Sequence, residues 1–432
     1  MRLVSSRLPH VLGGVVLASL VAAACGSDSP RRVERGSEGG ARAVGGAGAA
    51  GLGGVADLPE ESGGLPAFDL GGAGSPPLDV GGAGGVPGGA GGVPPQGEGG
   101  VTQLPEAGAG GAFVAPDCDE IVIPDFELDQ AVRALAAKPD GVLTPADVVN
   151  ITYVRAYGVQ TLEGIECLSN LENVDLSQGG ASSSLTTLSQ LKYLRKLTNL
   201  DLSRADVASY EGIADIPNLR LLRLGSDTLP DFEAFADAPK LEELNLDYSN
   251  IGDLTPLGDI KSLRTLSAIY STLNDQESLS ALDQLTQLFL TGSSLDDAAP
   301  LGGLTKLQNL EIGNNAIANI SALGSLTDLR TLNIGNSVNP NIGFAATLTK
   351  LTQFLAVSNA IVDISALGGL SQLNIVSLQN NSVTNLQPLA NNTGIGTGDT
   401  VALRFNPFSC SGQAANLKAM TDRGATIDDD CP

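Results

Sequence analysis

Between residues 197 and 378 the apolar and polar positions return in the same order every 22 residues. Leu197, Leu200 and Leu202 open the series, followed in phase by Leu219/Leu222/Leu224, Leu241/Leu244/Leu246 and Leu263/Leu266/Ala268. Leu285/Leu288/Leu290, Leu307/Leu310/Ile312, Leu329/Leu332/Ile334, Leu351/Phe354/Ala356 and Leu373/Val376/Leu378 complete it. The last two members of each trio are two residues apart, the period of a strand that buries every second side chain. Strands this short cannot stand alone, so the pattern predicts that each pairs with the next in a parallel sheet.

The remainder of each unit is periodic as well. Ile317, Ile320, Leu323 and Leu326 in one unit match Ile361, Ile364, Leu367 and Leu370 in another. A spacing of three suits a 3₁₀ or short helical return limb with one face turned inward. About seven inward apolar residues per unit, at about 1.5–3 kcal/mol each when fully buried, offset the ordering of the backbone. The ninth position is Asn in Asn315, Asn359 and Asn381, whose amides can both donate to and accept from backbone groups where the chain leaves the sheet. Ser249, Ser271 and Ser293 hold the same place with a shorter reach, either in that role or as plain polar turn residues. A fixed period with the spelling LxxLxLxxN is that of an α/β leucine-rich repeat solenoid. Its parallel sheet lines the concave side and its 3₁₀, short-helix or irregular limbs the convex side. Some eleven repeats at about 4.8 Å per strand predict a sheet on the order of 50 Å long.

The units span residues 149–390, and the first two are less regular. Val149/Thr152/Val154 reads as the first strand and Leu171/Val174/Leu176 as the second. Leu171 and Leu197 are 26 residues apart, and the four extra residues fall near Gly179–Ser184, where a bulge is expected. Val338, beside Asn339-Pro340-Asn341, marks a second slip and predicts an altered turn. A solenoid exposes core side chains at its ends, so caps are required. Residues 117–148 read as a helical N-terminal cap, with Phe126, Leu128, Ala131, Val132 and Leu135 at helical spacing and a second short turn after Thr144. Residues 391–432 read as a C-terminal cap, with a strand and turn from Val401 to Cys410 and a closing helix over Gln413–Met420.

Ahead of the repeats the chain changes character twice. Residues 1–24 carry Arg2 and Arg7 before the short apolar run Val11–Ala24, the layout of an export signal. Its end, Ala22-Ala23-Ala24-Cys25, resembles a bacterial lipoprotein cleavage site, except that Ala22 stands where Leu is usual. That resemblance implies lipidation at Cys25 and attachment to a bacterial outer membrane or cell surface; an ordinary secretory signal with a free Cys25 is the alternative. Residues 25–116 are dominated by Gly, Ala and Pro without a strict period of three, so they read as a disordered tether rather than a collagen-like segment.

With Cys25 set aside, four of the five cysteines remain. Pairing Cys118 with Cys167 would tie the N-terminal cap to the first repeat, and pairing Cys410 with Cys431 would staple the C-terminal one. The other two arrangements must link opposite ends of the solenoid. Neither pair has CxxC spacing and the single histidine, His10, lies in the export signal, so no metal or cofactor is expected. The acidic runs Asp296-Asp297 and Asp428–Asp430 read as solvated surface rather than calcium loops. No GxSxG, HExxH or phosphate-loop spelling appears, and the reading is non-enzymatic. The formal charge is −24, or −24 − 2 = −26 once the two arginines of residues 1–24 are removed, which argues against nucleic acid as a partner.

Binding is expected on the concave face. The residue between the second and third core positions changes from repeat to repeat: Tyr153, Asp175, Arg223, Phe289 and Leu355 are examples. In a chain with no Trp and only 4% aromatics, Phe289 lies near the strand-end residues Tyr248, Ile269 and Tyr270. Aromatic anchors ringed by polar groups describe a protein-interface hot spot, with Arg223 and Arg264 bracketing it. Local stacking of Tyr248 on Tyr270 without any partner is the competing reading.

The Ile123-Pro124-Asp125-Phe126 cap and units such as Asn315-Ala-Ile-Ala-Asn-Ile-Ser-Ala-Leu323 and Asn359-Ala-Ile-Val-Asp-Ile-Ser-Ala-Leu367 resemble the bacterial internalin-type leucine-rich repeats. The resemblance runs from Ile123 to Leu389, about 60% of the chain. It implies a curved solenoid in a protein-binding role. The lipoprotein-like start, glycine-rich tether and cysteine-bearing end depart from that family, so its host receptors do not carry over. A surface protein that binds a protein partner as a monomer is the leading expectation; an envelope-structural or self-associating adhesin and a carbohydrate-binding module are the alternatives.

Overall fold

The computed structural model describes residues 116–177, 185–205, 207–225, 229, 232–339 and 341–432. The export signal with Cys25, the tether up to residue 115, the expected bulge at Gly179–Ser184 and Pro340 lie outside the described residues.

Helix α1, Phe126–Ala136, starts where the Asp125 carboxylate accepts from the Leu128 N–H at 3.0 Å and ends at left-handed Ala137. One turn apart, Leu128 and Val132 are buried, whereas Phe126 and Leu135, expected on the same face, are 67% and 50% exposed. The buried stripe is therefore narrower than the apolar pattern. Helix α2, Pro145–Val148, is opened by Thr144, with Asp147 reaching back to the Thr144 N–H and taking Lys138 Nζ at 2.8 Å. The hydrogen bonds from Lys138 and then Thr144 hold the Asp147 carboxyl down to about 2. Two links seat this cap on the first repeat: Asp125 also accepts from the Gln160 N–H at 2.8 Å, and Cys118 is bonded to Cys167.

The strands follow in order. β1 is Tyr153–Arg155, β2 Asn173–Asp175, β3 Asn199–Asp201, β4 Leu221–Arg223 and β5 Glu243–Asn245. β6 is Asn250–Ile251, β7 Thr265–Ser267, β8 Thr272–Leu273, β9 Gln287–Phe289 and β10 Asn309–Glu311. β11 is Thr331–Asn333, β12 Gln353–Leu355, β13 Ile375–Ser377, β14 Thr400–Ala402 and β15 Thr426–Asp428. Among the described residues β6 and β8 pair by themselves, and the other strands form one 13-stranded parallel sheet in chain order. Register carries the repeat through it, with Leu200 beside Leu222, Leu244, Leu266, Leu288, Leu310 and Leu332 in successive strands. Leu200, Leu244, Leu288 and Leu332 are at most 1% exposed. One continuous core thus runs under the sheet.

The outer limbs are 3₁₀ turns such as Ser321–Ser325 and Ser365–Gly369. Each begins where a side chain takes the first N–H: Asn319 accepts from Ser321 at 3.1 Å and Asp363 from Ser365 at 2.8 Å. Leu323 and Leu367 point inward from them. Between strand and limb, Asn359 donates to Ile334 O at 3.0 Å and accepts from Asn339 N–H at 2.9 Å, binding one repeat to the previous one. Ser271 makes a shorter version of the same link, donating to Leu246 O at 2.8 Å and accepting from the Ser249 N–H at 3.2 Å.

The first repeat departs from the expected phase. Tyr153 pairs with Asn173 and Arg155 with Asp175, so the inward trio is Ile151, Val154 and Ala156, while Val149 is half exposed. Arg155, not Tyr153, is therefore the residue beside Asp175. Further on, Val174 stays in register with Leu200, so the four extra residues leave the sheet unbroken. At the second slip Val338 is 74% exposed at φ 55°, a left-handed backbone that a β-branched residue rarely adopts.

At the C-terminal end, helix α3 is Gln387–Asn391 and helix α4 is Cys410–Asp422, which starts three residues before the expected one. Strand β15 was not foreseen, and it pairs with β14 where Cys431 is bonded to Cys410. Arg423 clamps the cap by donating to the carbonyls of Ile395, Ala390 and Asn392 at 2.8–3.2 Å. Among the described residues no helix is long and apolar enough to cross a membrane.

Candidate functional site

In every strand of the large sheet the central residue turns into the core, so its two neighbours face the concave side. The register lines these up across strands: Arg223, Asn245, Ser267, Phe289, Glu311 and Asn333 occupy one row. The uniform core thus supports a row whose chemistry changes at each step.

The six residues expected to bind do not form one patch. Arg223 is exposed and Phe289 is half-buried in the same row, three strands apart, which is about 14 Å. Tyr248 and Tyr270 stand beyond the strand ends, 61% and 54% exposed, with ring centroids 5.7 Å apart at 24°. Ile269 lies between them in sequence, half-buried, its N–H donating to Asp247 at 2.8 Å. Arg264 stands at the opposite, entry end of its strand, where its guanidinium donates to Lys261 O and Leu263 O at 2.8 Å. Tyr248, Ile269 and Tyr270 therefore share the strand-exit edge, Phe289 and Arg223 lie on the sheet, and Arg264 stands at the strand-entry end.

Tyr248 and Tyr270 share a backbone feature that the repeat spelling does not announce. Their φ angles are 61° and 53°, and Asn314, Asn336, Ser358 and Asn380 at the same place in later repeats are left-handed too. Asn and Gly adopt that conformation readily and tyrosine does so with strain. Gly292 occupies the place next to Tyr270, and a β-carbon there would lie 2.5 Å from Tyr270 Cδ1. The missing side chain leaves room for the Tyr270 ring, on which Tyr248 stacks. Tyr248 and Tyr270 thus stack on each other, and both remain exposed. The column Gly292, Asn314, Asn336, spaced by 22, was the legible signal for this turn.

One pair of charges on the N-terminal strands is satisfied within the chain. Arg155 Nε meets Asp175 at 2.7 Å, Ser177 Oγ donates to the same carboxylate at 2.6 Å, and the guanidinium lies 5.5 Å over the Tyr157 ring. Burial works to raise the Asp175 carboxyl, but the hydrogen bonds from Ser177 and Arg155 outweigh it and leave it below the usual range. Farther along, β10 carries the opposite case. Burial pushes the Glu311 carboxyl up, and among the described residues no donor reaches it and none meets Asn309 Oδ1, buried on the same strand. Sequence reasoning passed over both residues because each looks like an ordinary polar strand position.

Among the described residues no cluster of His, Cys, Asp or Glu could hold a metal ion. A shallow depression on the outer limbs is lined by Ser365, Asn385, Gln387 and Asn391, amides and a hydroxyl with no titratable group among them. Among the described residues the arrangement is that of a scaffold displaying side chains.

No family model matches the sequence, and no curated protein does. Among solved structures, an internalin (inlF) from Listeria monocytogenes is 28% identical with a TM-score of 0.59, over 71% of this chain and 90% of that one. A leucine-rich repeat protein of Leptospira interrogans is 18% identical with a TM-score of 0.50, over 66% of this chain and 81% of its own, and shares the fold. The chain has a leucine-rich repeat fold related to that of the internalins.

Proposed function

We propose that this chain is a non-enzymatic, extracytoplasmic receptor or adhesion-like protein. In this reading lipid on Cys25 holds it to a bacterial outer membrane or cell surface. Residues 25–116 then act as a tether, and the repeats engage a protein partner as a monomer. One observation supports the partner above the rest: a regular core displays a row of varied side chains, with Phe289 in the row and the exposed Tyr248–Tyr270 stack beside it. Large rigid rings with polar surroundings are what interface anchors look like. Arg223 is the cation of this surface, and Arg264 and Ile269 are its margins.

Cross-linking on intact cells followed by pull-down identifies the partner. The combined change Tyr248→Ala, Tyr270→Ala and Phe289→Ala is then expected to weaken binding at least tenfold, about 1.4 kcal/mol, with the unfolding midpoint close to wild type. Unchanged affinity removes this site. The exposed tyrosine pair also favours a second reading, a glycan platform, which binding competed by free sugar would establish. Self-association seen by light scattering and lost with the same three changes would make the partner a second copy.

A further inference from the structure

We propose that Glu311 is the recognition point for an arginine side chain of the protein partner, received between Phe289 and Asn333. The inference rests on the concave-face reading above and assigns that face a partner chemistry. Carboxylates elsewhere in the row have donors of their own. Asp175 has Arg155 and Ser177, Asp201 accepts from the Ser203 N–H at 3.0 Å, and Asp428 has Arg404 at 2.5 Å. Glu311 is the exception, half-buried on β10 with no donor among the described residues. A partly desolvated carboxylate without a partner is costly, and the molecule on its own leaves that cost standing. Two residues back on the same face, Asn309 Oδ1 is a buried acceptor that is likewise unmet.

The neighbours do not supply the missing donor. Register places Phe289 on one side of Glu311 and Asn333 on the other. Phe289 offers a ring face, and Asn333 Oδ1 is committed to the Gly335 N–H at 3.0 Å. Strands β9 to β13 hold no other charged residue. An incoming guanidinium fits both the carboxylate and the ring: its fork donates to Glu311 and its plane can lie against Phe289. Lysine offers a point charge without the fork or the plane. The net charge of −24 steers a basic partner in the same direction.

The test uses a random dodecapeptide library displayed on phage and the whole chain as target, with winners resynthesised and measured on wild type and on E311Q. We expect selected peptides to carry arginine beside an apolar residue and to bind E311Q at least tenfold more weakly. Replacing that arginine by citrulline, its neutral isostere, should weaken wild-type binding equally and cost nothing further on E311Q. An unfolding midpoint for E311Q at or above wild type shows that the loss is not one of folding. Winners that bind both proteins alike, winners without a basic residue, or no peptide that discriminates the two would each overturn the assignment. A cell-derived partner that needs Phe289 but not Glu311 would leave the concave-face reading standing and sink this one. A partner indifferent to Phe289 and the tyrosines would sink the concave-face reading by itself.

Discussion

The first five strands and the strands from β9 to β13 share one core and present different surfaces. On β1 to β5 the concave rows carry Arg155, Asp175, Asp201, Arg223 and Glu243, and just beside them Arg220 is bonded to Glu242. From β9 to β13 the outward residues are amides, hydroxyls and apolar groups, with Glu311 as the lone charge. The repeat that builds the core demands nothing of the outward positions, so each half has been free to take its own chemistry. In the first half Arg155 meets Asp175 and Arg220 meets Glu242 within the molecule. In the second, one carboxylate waits for a charge from elsewhere.

The halves also end differently, and the largest effects should appear there. Opening Cys118–Cys167 frees a loop closed over 49 residues and is expected to cost about 4 kcal/mol by chain entropy; opening Cys410–Cys431, closed over 21, about 3 kcal/mol. Urea unfolding of the paired serine variants checks both values, and equal costs would mean that something other than loop length dominates. A smaller contrast lies between the halves at the ninth position. Asn359 donates to the Ile334 and Val357 carbonyls and accepts from two N–H groups, whereas Ser271 accepts from one, so Asn359→Ala should cost about 2–3 kcal/mol against about 1–2 kcal/mol for Ser271→Ala. Matching losses in denaturant titrations would remove the distinction between the amide and hydroxyl turns.

The smallest effect, and the sharpest, concerns Glu311. Its carboxyl titrates higher in the folded chain than in the unfolded one, so between those two values the folded state holds more protons and stability falls as pH rises. Glu311→Gln should therefore raise the thermal midpoint slightly at pH 7, with the advantage fading as pH falls through the raised folded value and gone below about 4, where the unfolded carboxyl is protonated as well. An E311Q variant less stable than wild type at neutral pH would mean that Glu311 is satisfied within its own chain after all.

How much of this was readable in advance depended on whether a position repeats. Leu200, Leu244, Leu288 and Leu332 could be assigned inward at once because the same burial recurs every 22 residues, and their exposure is at most 1%. Val149 and Val154 are equally apolar, so the phase of the first repeat was ambiguous until strand pairing chose Ile151, Val154 and Ala156. Strand β15 runs into the acidic stretch Asp428–Asp430 and is only three residues long, so it looks like a tail until a neighbouring strand takes its hydrogen bonds. For Arg264, proximity in sequence to Tyr270 suggested a shared patch, yet six residues of extended chain carry it to the other end of the strand.

By itself the sequence determined the period, the parallel sheet, the inward and outward assignment of the mid-solenoid side chains and the need for caps, because burial recurring at a fixed interval admits a single way of stacking. Only the tertiary structure decided which outward groups find partners within the molecule. That depends on which residues 22 apart come to lie side by side, how far each is dried by its neighbours, and whether a donor happens to be within reach. Glu311 and Asp175 are both acids at the same place in their repeats, and their different surroundings, not their spelling, separate them.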